Sequence, residues 1–141
     1  MKLKLGGLQV GCSSRRIAMN VQSHLEVIRR AKSSHLRWRA YAQALAAGVP
    51  VQEDQAPLAH TQCAFGKWYY GEGQSALGHL SVFQDIETPH ELLHAIYAQV
   101  HEAAASGKLD KAHERLSDLV EMSKTLLQAI ELLEAEVRDM G

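Results

Sequence analysis

The chain has 141 residues, enough for one domain with its own core, and a formal net charge of −1. Its basic residues gather into no aromatic-studded patch, which argues against nucleic-acid binding. No apolar run reaches membrane-spanning length, and residues 5–10 are too short and glycine-rich for a signal sequence, so a cytoplasmic protein without direct membrane insertion is expected.

Ala, Leu, Glu, Gln, Lys and Arg dominate while Val, Ile and Thr are sparse, which favours helix over sheet. Residues 1–14, with three glycines and no lasting periodicity, are expected to be a flexible tail carrying Cys12 as a free thiol, and residues 15–141 the folded domain. A first helix is predicted over 15–47, capped by Ser13 or Ser14 and stopped by Gly48 and Pro50. Its apolar stripe is Ile17, Val21, His24, Ile28, Ala31, His35, Trp38, Ala42 and Leu45, in the alternating steps of four and three of a bundle seam.

Residues 49–60 are polar and contain Pro50 and Pro57, so a loop is expected. A short helix over 62–70 follows, with Thr61 as N-cap and Cys63 in its first turn; Gly71 and Gly73 end it. The next helical stretch covers 76–105, with the stripe Phe83, Ile86, His90, Leu93/His94, Tyr97 and Val100/His101. Within it, Thr88-Pro89-His90-Glu91 has the form of an N-cap, an N1 proline and a capping-box residue, so the helix either starts or kinks there. After Gly107 a last helix over 108–139 carries Leu109, Ala112, Leu116, Leu119, Ser123, Leu126, Ile130, Leu133 and Val137. The expected fold is all-α: a small antiparallel helical bundle, four-helix-bundle-like, with long helices plus a short Cys-bearing one.

Histidine placement carries the chemistry. His90 and His94 sit one helical turn apart, about 6 Å, so both imidazoles can reach one metal. Alone, that pair is a weak signal, better explained by two core or solvated histidines. Cys63, in a first helical turn, gains a thiolate favoured by the helix dipole, and zinc prefers thiolate and imidazole in a tetrahedral set. His35 lies on the seam of the first helix, where an unpartnered polar group costs roughly 1–3 kcal/mol, and Trp38 one turn on can wall off water. His24 lies about 16 Å from His35 along the helix, too far to share an ion, and is expected in the core or an interface. His60 and His79 are expected to be solvated, His101 is too far along its helix, and His113 faces solvent. Asp85, Glu87 and Glu91 are the candidate acceptors that orient the imidazoles.

The three blocks His35-Leu-Arg-Trp38, Cys63-Ala-Phe-Gly66-Lys-Trp68 and His90-Glu-Leu-Leu-His94 resemble, in order, residue type and spacing, the signature of the chemoreceptor zinc-binding family. The likeness extends over roughly residues 17–133. It implies one zinc bound by His35, Cys63, His90 and His94; four protein ligands close such a site and no general base or nucleophile accompanies it, so no enzymatic activity is expected. It further implies sensing of zinc or of hypochlorous acid through the cysteine, and a homodimer. That family's domain is usually fused to a chemoreceptor signalling region or a diguanylate cyclase. Neither occurs in this chain, so a free-standing member acting on such a protein in trans is expected. Two rival readings stand beside it. The amphipathic helices would also suit a metal-free interaction module. A di-iron protein is weaker, because Glu87-x-x-His90 and Glu91-x-x-His94 share one helix segment and the last helix offers only Asp110-x-x-His113.

Overall fold

The computed structural model describes the backbone of residues 6–52 and 55–141 and the side chains of residues 21–52 and 55–141. Three long helices dominate: α1 (Gly6–Ala46), α5 (Glu87–Ala105) and α6 (Leu109–Met140). Between α1 and α5 the chain forms α2 (Ala64–Trp68), a π-type turn (Tyr69–Gly73), α3 (Gln74–Leu77) and α4 (Ser81–Gln84). There is no strand among the described residues, and the long helices pack on one another as an all-α bundle.

Pairs along α1 and α6 run in opposite directions: Val21 lies against Gly141, Arg29 and Lys32 against Glu134, Arg39 against Ser123, and Gly48 against Leu109. Those two helices are therefore antiparallel. α1 and α5 run the same way, since His35 meets His90 and His94 while Trp38 meets Tyr97. The expected seam residues of α1 from Val21 to Leu45 are buried, as are Ala112, Leu119, Ser123, Leu126, Ile130, Leu133 and Val137 of α6. Leu109 is exposed and Leu116 only partly buried, although Ala112 between them is fully buried. Ile17 and Cys12 lie outside the residues whose side chains are described.

Three boundaries differ from expectation. The first helix begins at Gly6 rather than residue 15, so residues 6–14 are helical; residues 1–5 of the expected tail lie outside the described residues. A formed helix propagates cheaply, and isolated glycines weaken it without ending it. The expected continuous stretch 76–105 is broken into α3, α4 and α5, with α5 starting at Glu87. Pro89 therefore falls in the first turn, where its missing N–H leaves no bond unmade, and it starts a helix rather than kinking one. The capping box does not form, because Ile86 rather than Thr88 occupies the N-cap. Gly48 and Gly107 do end α1 and α5 as expected. Their φ of 85° and 75° lets Val49 N–H reach the Ala44 carbonyl and Lys108 N–H reach the Ala103 carbonyl.

Glu134 is the buried charge that hydrophobic periodicity does not reveal. Its carboxylate accepts from Lys32 Nζ at 2.6 Å and Arg29 Nε at 3.0 Å, cross-linking α6 to α1. The Lys32 hydrogen bond, opposed by burial and aided by Arg29, holds this carboxyl below its ordinary range. The resulting stabilisation is present above the unfolded-state pKa and is lost as pH falls through the lower folded-state value. Glu134→Gln should therefore cost about 1–2 kcal/mol at neutral pH, a figure discounted because Arg29 is half-exposed. Denaturation curves of the two proteins should converge in acid.

Candidate metal centre

His35 comes from the α1 seam, His90 and His94 from one face of α5, and Cys63 from the start of α2. All four are buried, and one ligand-capable atom from each lies within 4.8 Å of the other three. A tetrahedral zinc with two kinds of ligand separates its donor atoms by about 3.3–3.7 Å. The 3.4 Å between Cys63 Sγ and His90 Nε2 already has that spacing, and the remaining pairs need only a small inward movement.

Second partners decide which nitrogen each histidine presents. His35 Nδ1 donates to the Ala31 carbonyl at 2.8 Å. His94 Nδ1 donates to the carbonyls of Pro57 and Leu58 at 3.1 and 3.2 Å. With hydrogen on Nδ1, each ring directs a lone pair on Nε2 into the cluster. Those two Nε2 atoms are buried and have no hydrogen-bond partner. Orphaned acceptors of this kind are costly in a core, so they point to a missing cation. The acceptors are backbone carbonyls, which corrects the expectation of Asp85, Glu87 or Glu91; those carboxylates are exposed, and Glu87 accepts from Tyr70 Oη.

The electrostatics agree. Burial pushes His35 down, His94 down to about 4 and His90 down to about 2, with the neighbouring imidazoles adding to the effect on the last two. All three rings are thus neutral, as ligands must be. Cys63 is the exception. Burial raises its thiol despite bonds from the Gly66 and Phe65 amides, so the expectation of a dipole-favoured thiolate does not hold without a cation. Cys63 is itself the N-cap of α2, accepting from Gly66 N–H at 3.3 Å, in place of the predicted Thr61.

Aromatic rings close the site. Trp38 stacks on His35 and lies 4.3 Å from His94, while Phe65 meets His35 and His90 edge-on. His24, as expected, takes no part; it accepts from Trp68 Nε1 at 3.1 Å. His60 departs from its expected place in solvent. It is half-buried, with its ring 5.7 Å from His90 and 6.3 Å from His94. The His60-x-x-Cys63 spacing was its only signal in the sequence. The donor set of three imidazoles and one thiol contains no carboxylate, which suits zinc and does not suit a di-iron centre.

Gly66 lets this arrangement close. A Cβ there would sit 1.8 Å from the His60 carbonyl oxygen, so any side chain pushes the 57–63 segment away from α2. Gly66→Ala should destabilise the protein by about 1–3 kcal/mol, whereas Lys67→Ala, on the exposed side of the same helix, should change it by less than about 0.5 kcal/mol. Urea denaturation of both variants checks this.

Comparison with known families gives one match: residues 35–101 fit the chemoreceptor zinc-binding domain, and all four clustered residues lie inside that span. Comparisons with curated proteins and with solved structures gave no match. No helix among the described residues is long and apolar enough to cross a membrane. The matched span and the geometry of its four buried donors agree, and over residues 35–101 the chain is similar to the chemoreceptor zinc-binding domain family.

Proposed function

We propose that the chain binds one zinc ion through His35, Cys63, His90 and His94 and acts as a sensor whose signal is the occupancy of that site. The observation that carries this reading is the pair of buried, unpartnered Nε2 atoms of His35 and His94 aimed at the Cys63–His90 contact. Four protein donors complete a tetrahedron and leave no place for a reacting water, which is the arrangement of a structural rather than a catalytic site. Bound zinc supplies positive charge that keeps Cys63 as thiolate.

A site built from three segments couples metal to conformation. A shared ion would tie α1, α2 and α5 together beyond their apolar packing, and His94 also donates to the Pro57 and Leu58 carbonyls. Loss of the ion returns a raised pKa to Cys63 and leaves two lone pairs without a partner, so the 57–63 segment loses its reason to stay seated. Two inputs can empty the site. One is zinc scarcity. The other is oxidation of Cys63: hypochlorous acid converts the thiolate to sulfenic acid and is reduced to chloride, and sulfenic sulfur is a poor ligand. The readout is a partner, either a second copy of this chain or a chemoreceptor or diguanylate cyclase in trans.

Elemental analysis of the purified protein should find about one zinc per chain, and Cys63→Ala should hold it at least about tenfold more weakly. Iron in place of zinc, or no metal after zinc is supplied, sinks this reading and leaves a di-iron protein or a metal-free interaction module. Calorimetry in buffers of different ionisation enthalpy gives a second check. Because the three imidazoles are already neutral, zinc uptake near pH 7 should release about one proton per ion, from Cys63.

A further inference from the structure

The cluster is sealed: His35, His90 and His94 are each 1% exposed, so an ion needs a path in and out. The cover over it is the segment 57–62. Its Pro57 and Leu58 carbonyls accept from His94, and the His60 carbonyl lies against Gly66. His60 is the side chain on that cover whose chemistry could bind a metal. It stands half-buried between solvent and the inner site, with its ring edge-on to those of His90 and His94.

A hydrogen-bond chain determines which nitrogen His60 offers. The single hydroxyl hydrogen of Tyr70 goes to Glu87 Oε2 at 3.0 Å. The 3.2 Å contact between His60 Nε2 and Tyr70 Oη therefore requires the hydrogen on Nε2. Neutral His60 is left with its lone pair on Nδ1, and no described residue hydrogen-bonds that atom. The carboxylate of Glu87 at the outer end of the chain strengthens the donor ability of the ring, as carboxylates do for ligating histidines elsewhere. His60 is not one of the four mutually close donors, and a tetrahedral ion has no fifth place for it.

We propose that His60 is a transfer ligand: its Nδ1 takes the incoming zinc at the mouth of the site, hands it inward to His90 and His94, and receives it again on release. This rests on the four-residue zinc reading. A stepwise exchange, in which one zinc–nitrogen bond forms as another breaks, avoids stripping the ion of ligands and lowers the barrier in both directions. The resting complex is unchanged, so affinity is unchanged.

The test uses the zinc-loaded full chain and two variants, His60→Ala and Tyr70→Phe. Equilibrium affinity comes from competition with a chromogenic chelator, and the release rate from transfer into excess of the same chelator. His60→Ala should keep wild-type affinity within about threefold while releasing zinc about tenfold more slowly, the change made by about 1.4 kcal/mol of barrier. Uptake, the product of the two, slows equally. Tyr70→Phe, which removes only the group that holds the Nε2 hydrogen, should slow release to a smaller extent. Unchanged release in His60→Ala overturns the proposal. Faster release at unchanged affinity also overturns it and makes His60 a plain cover. A large loss of affinity overturns it in favour of a resting ligand. A wild type that takes up no zinc fails at the stoichiometry step, where the parent reading falls separately from any statement about rates.

Discussion

Two imidazole nitrogens, one from His35 and one from His94, face the same buried point without a hydrogen-bond partner. Everything around them is arranged to keep them so. Carbonyls of Ala31, Pro57 and Leu58 take the hydrogens on the opposite nitrogens, and Trp38, Phe65 and Tyr97 exclude the water that would otherwise satisfy the lone pairs. In a protein that had no cation to bind, such an arrangement would be a standing cost with no compensating gain. A bound zinc turns the same desolvation into tight and selective coordination.

The rest of the bundle serves that point. α6 supplies no donor, yet it runs antiparallel to both α1 and α5 and sets their separation through Leu119, Leu126, Ile130 and Leu133. The Glu134 link to Arg29 and Lys32 and the Arg39–Ser123 bond secure the α1–α6 register on either side of His35. The fourth column of the bundle is not one helix but a run of short ones. Such a column has few backbone bonds to hold it and leans instead on side-chain contacts. Tyr69 stacks on Phe83, Trp68 bonds His24, and Cys63 joins the cluster. The element that carries the cysteine is thus also the one least secured by its own hydrogen bonds. That is the right place for a metal- or oxidant-dependent change.

Cys63 shows how context sets reactivity. The start of a helix lowers a thiol's pKa, but burial of this one outweighs the two amide bonds it accepts. A cation is therefore required for the reactive form. On the proposed reading, metal occupancy and sulfur chemistry become a single variable, and zinc supply and oxidants would act through the same event.

The sequence by itself determined the long helices and pointed to the four residues that cluster. Alternating steps of three and four marked the buried faces of α1 and α6, glycines at positions 48 and 107 marked the ends of α1 and α5, and the family resemblance of three short blocks pointed to His35, Cys63, His90 and His94. The helix faces and helix ends are local features, and the physics behind them acts within a few turns of chain. The tertiary structure decided what local rules cannot express. It put backbone carbonyls from a loop, rather than nearby carboxylates, behind His94; it made Cys63 the cap of its own helix; it broke the predicted 76–105 stretch at residues 78–80 and again at 85–86; and it buried Glu134 between two cations. His60 is the clearest case. Its position against His90 and His94 exists only because Gly66 admits the loop backbone to within contact of α2, a proximity between segments that no spacing along the chain encodes.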